Sequence, residues 1–219
     1  MIRRIAQAVS LLLHPLFLFL YVLWFSYIID PYAFKINDDH QLGVMIIMTV
    51  MLLLVIPLIT TVMMKGLGFI QSLSMNDPKE RIGPLIACMI CYIWHYVNVN
   101  NNPDIPASYQ VISLGGCISV ALVFFINNFS KISMHTVGAG AFVGGTISIL
   151  FIHIGAPIEL IFGESKCYVH PVVILMICIT LAGLIGTSRM ILNAHRPIDI
   201  YGGYLVGLIS IIVASRIVI

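Results

Sequence analysis

Apolar residues run almost unbroken through seven stretches of this chain: Ile5–Ile29, Val44–Met64, Pro84–Val99, Tyr109–Ile126, His135–Ile154, Pro171–Gly186 and Ile198–Val218. A helix needs about 20 apolar residues to cross the hydrocarbon of a bilayer. The stretches therefore predict an all-α fold, a polytopic transmembrane helical bundle of six to seven spans. The shortest, Pro84–Val99, covers only about 24 Å at 1.5 Å per residue. Polar residues are confined to short links rich in Pro, Asn, Asp and Gly, such as Asn98–Pro106, and no repeat is evident. Two glycine pairs, Gly140-x-x-x-Gly144 and Gly203-x-x-x-Gly207, read as close helix contacts.

Composition excludes a soluble domain. Of 219 residues, 60% are hydrophobic and 9% charged, and the mean hydropathy is +1.04. Met1-Ile2-Arg3-Arg4 opens the chain as a secretory signal would, but the apolar run behind it is too long for one. It reads as a retained anchor. Cys88 and Cys91 form a C-x-x-C inside an apolar segment without a second pair, so they read as packing residues, with no disulfide expected.

Charge adds a sidedness. If all seven segments cross, one face carries Arg3, Arg4, Lys65, Lys79, Arg81, Lys131, Arg189 and Arg196 against Asp77, Glu80 and Asp199. The other carries Lys35, Lys166 and Arg216 against Asp30, Asp38, Asp39, Asp104, Glu159 and Glu164. A cationic face concentrates anionic ligands. Removing the candidate site cations leaves Arg3, Arg4 and Lys65 against Lys35, Lys166 and Arg216. That balance gives the positive-inside rule nothing to count.

Three clusters on the cationic face carry candidate chemistry. Between the last two spans, Ser188-Arg189 is followed by His195 and, four residues later, Asp199. Ionisable groups beside hydrocarbon are costly and mark functional sites. A carboxylate near one imidazole nitrogen would orient the ring and free the other nitrogen to attack. An arginine fork matches phosphate oxygens. The plain alternative is an Asp199 that caps its own helix. The second cluster is Lys131-Ile132-Ser133-Met134-His135, and the third is Asn76-Asp77-Pro78-Lys79-Glu80-Arg81-Ile82-Gly83-Pro84. His14, His95, His153 and His170 read as buried, hydrogen-bonded histidines.

Ser-Arg, five residues, His, three residues, Asp resembles the third signature of the type 2 phosphatidic acid phosphatase (PAP2) superfamily of membrane lipid phosphatases. Ser133 and His135 match two positions of its second signature, Pro-Ser-Gly-His, with Ile132 and Met134 at the others. The first signature, Lys, six residues, Arg-Pro, is altered: Ser74 stands seven before Arg81, and Pro84 three after it. The resemblance implies N-terminal transmembrane helices over 1–75 and a PAP2-like core over 76–219. It implies a metal-independent hydrolase of a lipid phosphate or polyprenyl diphosphate, with His195 as nucleophile, Asp199 as its orienter and His135 as leaving-group acid. Arg189, Ser133, Arg81, Lys79 and Lys131 would bind phosphate. No cofactor, nucleic acid or protein partner is expected, only lipids, in a bacterial inner membrane. A lipid phosphotransferase, an inactive lipid-binding relative, and a metal site of His135, His195 and Asp199 stay open as rivals.

Overall fold

A computed structural model describes residues 1–36, 38–73, 75, 77–151, 157–162 and 165–219. Its helices are α1 (Ile2–Leu12), α2 (Pro15–Ile29), α3 (Asp39–Val50), α4 (Ile56–Gly66), α5 (Ile82–Asn100), α6 (Ala107–Asn127), α7 (Met134–Leu150), α8 (Pro171–Ile191) and α9 (Pro197–Val218). Among the described residues, five uninterrupted helical stretches are long and apolar enough to cross a membrane, and the bent α1–α2 pair, taken as one span, makes a sixth. The remaining apolar stretch, expected over His135–Ile154, forms α7 with 17 residues, and its end near Ile154 lies outside the described residues, as does His153.

The expected first span is not one helix. It bends by 59° between α1 and α2, where Pro15 supplies no N–H and takes the first position of α2. His14 caps that turn, its Nδ1 accepting from the Leu16 N–H at 3.4 Å. Arg3 and Arg4 are exposed on α1, whereas Ala6 and Ser10 are buried, so α1 lies against the bundle by one face and packs on α8. The second span is longer than its apolar core. A π-helical stretch, Met51–Val55, joins α3 to α4 ahead of Pro57, giving one helix over His40–Gly66. The short third span is extended by a 3-10 turn at Pro78–Arg81, which lengthens it to Pro78–Asn100.

Contacts at both ends bear out the alternation of the spans. At one end the Arg81 guanidinium reaches the Ile132 carbonyl, and the Asn127 amide donates to the Pro78 carbonyl at 2.8 Å. At the other the Lys35 N–H donates to the Asp104 carbonyl at 3.0 Å. A two-stranded antiparallel hairpin, β1 (Ile158–Phe162) and β2 (Ser165–Val169), packs there against α2. The hairpin occupies a link that the hydrophobic pattern marks only as lying between two apolar stretches.

The bundle centre is the α7–α9 contact, made by the paired glycines. A Cβ on Gly207 would run into the Val137 carbonyl and the Ala141 N–H, and one on Gly203 into the Thr136 hydroxyl. Two backbones at that distance leave no room for side chains. Gly207→Val is therefore expected to cost more than the about 1–3 kcal/mol of ordinary overpacking. Gly43→Val, where a Cβ meets nothing within 4 Å, is the control. Thermal unfolding in detergent compares the two.

His95 is buried and hydrogen-bonded, as read: Nδ1 to Ser113 Oγ at 2.8 Å, Nε2 to Thr49 Oγ1 at 3.2 Å and Tyr109 Oη at 3.3 Å. That knot joins α3, α5 and α6. It lies fourteen residues along α5 from Arg81, about 21 Å away.

Candidate active site

Close packing of α7 on α9 has a second consequence. The two helices run parallel and begin at the same end, where the Ser133 N–H donates to the Asp199 carbonyl at 3.2 Å. The second and third sequence clusters are thereby brought side by side. Helix N-termini present unpaired N–H groups and the positive end of the helix dipole, a setting that favours anions.

His195 is placed by a helix stop and a helix start. α8 closes with Asn193 in the left-handed region (φ 53°). The Ala194 N–H then bonds to the Arg189 carbonyl at 3.1 Å, and the Asn193 N–H to the Met190 carbonyl at 2.9 Å. This is a Schellman ending, with Asn the non-glycine residue that tolerates it best. Pro197 then opens α9. Arg189, on the last turn of α8, and His195, before α9, are held a few residues apart by that reversal.

Asp199 Oδ2 accepts from the Arg196 N–H at 3.0 Å, and Oδ1 lies 3.4 Å from the Arg196 guanidinium. Its distance to His195 Nδ1 is 3.9 Å, so the hydrogen bond expected from the four-residue spacing is not formed. The physical reason is competition: the carboxylate caps the first turn of its own helix. It still faces the imidazole at ion-pair distance. The His195 side chain is 6% exposed, and burial, reinforced by Arg189, Lys131 and Arg81 against the opposing pull of Asp199, lowers its pKa to about 4. The ring is neutral at neutral pH.

Arg81 is buried. Its Nε donates to the Met75 carbonyl at 2.9 Å, and a terminal nitrogen lies 3.5 Å from the Ile132 carbonyl. The altered first cluster thus delivers its arginine beside the second. Lys79, on the same turn, is exposed, and its ammonium makes no hydrogen bond or ion pair among the described residues. Ser74 and Asn76 lie outside the described residues. Lys131 is half-buried and shares a cavity of about 440 Å³ with Asn193, Ala194, His195, Arg196 and Asp199.

Two site residues were missed in the sequence because they come from the α1–α2 bend. Ser10 Oγ accepts from Arg189 at 2.6 Å, and its carbonyl lies 3.1 Å from His135 Nε2. A carbonyl only accepts, so His135 carries its proton on Nε2 there. The His14 ring stands edge-on to His135, centroids 4.9 Å apart. The signal available was the pair His14-Pro15, a polar residue and a helix breaker inside an apolar run.

Among the described residues, five buried side-chain atoms have no hydrogen-bond partner, and Ser133 Oγ, Arg189 Nε and His195 Nδ1 are three of them. A buried polar atom left unpaired costs about 1–3 kcal/mol, and these gather in one place. An anion with several oxygens is the chemistry that would satisfy the Ser133 and Arg189 donors together, with His195 Nδ1 turned to Asp199. No group of three or more metal-ligating side chains occurs among the described residues.

A sequence model of the PAP2 superfamily matches residues 82–219, more than half of the chain. Searches of curated proteins and of solved structures return no match. The match starts at α5 and takes in Ser133, His135, Arg189, His195 and Asp199, leaving Ser10 and His14 outside. Members of the superfamily are in general phosphatases, and a membrane-embedded one acts on lipid substrates. The chain accordingly belongs to the PAP2 superfamily, as a multi-pass membrane protein of the phosphatase type.

Proposed function

We propose that this protein hydrolyses a lipid phosphate or polyprenyl diphosphate without metal, through a phosphohistidine at His195, in a bacterial inner membrane. The observation that carries the reading is the gathering of the unsatisfied Ser133 Oγ and Arg189 Nε beside the neutral, buried imidazole of His195. Arg189, Ser133, Arg81 and Lys131 hold the phosphoryl oxygens, with Lys79 an outer cation. Phosphoryl transfer gains mostly from positioning and charge stabilisation, which such a cradle supplies.

Asp199 faces Nδ1, so Nε2 of His195 attacks phosphorus as the bond to the leaving oxygen breaks. His135 gives that oxygen a proton. Its Nε2–H is engaged by the Ser10 carbonyl, so the proton it gives is one carried on Nδ1, taken up as the anionic substrate binds beside the ring. Water next attacks the phosphohistidine, His135 takes the water's proton, and inorganic phosphate leaves with the His195 ring restored.

The test is phosphate release by the purified protein in detergent, with chelator present, together with trapping of a covalent phosphoenzyme in an alkaline quench. Release that persists in chelator with label on His195 is the expected result. Loss of release in chelator would revive the metal rival, and folded protein that binds lipid phosphate but releases none would turn the proposal to an inactive relative.

The pH dependence follows from His195. Its pKa is lowered in the fold to about 4, so the nucleophile stays unprotonated until the pH nears that value. The acid limb of kcat/KM, divided by the substrate's own ionised fraction, is expected near pH 4 rather than the about 6.5 of an ordinary imidazole. Stability carries the same sign: the contribution of neutral His195 is full above about 6.5 and is lost as the pH falls through about 4.

A further inference from the structure

Behind the site lies a second cavity, of about 430 Å³, whose polar lining includes Arg81, His14 and His135 and whose walls include Phe142, Ser119 and Ile211. Ile211 is fourteen residues along α9 from Pro197, so the cavity reaches about 21 Å into the bundle at 1.5 Å per residue. It is a partly open cleft lined by α1, α2, α4, α5, α6, α7 and α9, and it is almost wholly apolar away from its polar end. Lipid-phosphate chemistry needs a polar end only where the phosphorus sits, and this cavity has that form.

The two cavities lie on different sides of the chemistry. His195 and Lys131 line the polar one, and His135 lines the apolar one. In an in-line displacement the nucleophile and the leaving oxygen stand on opposite sides of phosphorus. The nucleophile therefore faces the aqueous pocket, and the acid faces the hydrocarbon one.

Resting on the proposed function, we infer that the apolar cavity holds the hydrocarbon of the leaving group, and that the substrate is a phosphate ester carrying one chain. An engineered apolar cavity of about 150 Å³ takes a six-carbon ring. Scaling that figure to this cavity gives room for about 17 carbons, one chain and not two. The step balances as a hydrolysis: the P–O bond breaks, His195 takes the phosphoryl group, and His135 protonates the departing oxygen. The product, a long-chain alcohol from a monophosphate or a chain-bearing monophosphate from a diphosphate, is left in the cavity.

The experiment compares kcat/KM for phosphate release by the full-length protein from hexadecyl phosphate, farnesyl diphosphate, dipalmitoyl phosphatidate and the chainless ester p-nitrophenyl phosphate. Wild type is set against Ser119→Phe and Cys88→Phe, two separate ways of filling the cavity from its walls. Single-chain substrates are expected to exceed the diacyl lipid by tenfold or more. Each filling variant is expected to lower single-chain turnover at least tenfold and to leave the chainless ester within about twofold. The two single-chain arms distinguish a monophosphate from a diphosphate.

Equal turnover of diacyl and single-chain lipids overturns the inference, as does a filling variant that spares long chains while active on the chainless ester. No release from any substrate by folded wild-type protein, the chainless ester included, overturns the parent reading and the inference with it. Release from the chainless ester with no single-chain preference overturns the inference alone.

Discussion

Replacing His195 with alanine is expected to lower phosphate release by at least about 10⁴-fold, the loss typical when a covalent nucleophile is removed and only the binding groups remain. The size follows from what no neighbour can replace. His135 is engaged through Nε2 by the Ser10 carbonyl, and both it and His14 line the opposite cavity, so neither imidazole attacks from the nucleophile's side. Phosphate binding should survive, because Arg189, Ser133 and Lys131 are untouched. Equilibrium binding of vanadate or a phosphonate, measured beside turnover, separates the two effects. A variant that loses binding and turnover equally would make His195 a binding group.

Arg189→Ala carries the second largest effect. Its guanidinium is anchored to Ser10 Oγ at 2.6 Å through a terminal nitrogen while Nε remains buried and unpaired. One edge is held by the protein and another is left for a ligand. A charged hydrogen bond contributes about 1.5–3 kcal/mol, and two lost together on a phosphoryl group correspond to roughly 10²–10⁴-fold in kcat/KM. Arg189→Lys should recover only a small part, since an ammonium cannot reproduce the fork. Full rescue by lysine would mean that only charge is required. Steady-state kinetics of both variants, with Ser10→Ala alongside to release the anchor, decides this.

The altered first signature shows how a linear pattern can mislead. By spacing, Arg81 stands in the wrong company, with serine where a lysine is usual and proline displaced by two positions. In the fold, the 3-10 turn at Pro78–Arg81 and the Asn127 amide hold that arginine against the Ile132 carbonyl. A cation needs to arrive at a point in space, and several local paths lead there.

The Asp199 carboxylate illustrates the opposite case. Its spacing from His195 permits a hydrogen bond, yet the backbone N–H of Arg196 wins the oxygen. Local capping competes with a side-chain pair whenever both use the same acceptor, and periodicity does not rank them.

Sequence alone determined the membrane class, most of the helical spans, the glycine pairs as points of close helix contact, and, on the supposition that all seven stretches cross, the alternation that puts Arg81, Ser133, Arg189 and His195 at one end. All of these follow from local quantities: apolar length, helix rise, parity and the size of a side chain. The tertiary structure decided what depends on long-range approach. The bend at His14-Pro15 carries Ser10 across 179 positions to Arg189. The cavity behind His135 exists only because α1, α2, α4, α5, α6, α7 and α9 leave it between them. A bend angle and a void are set by how the helices pack together, and no single segment of the chain encodes either one.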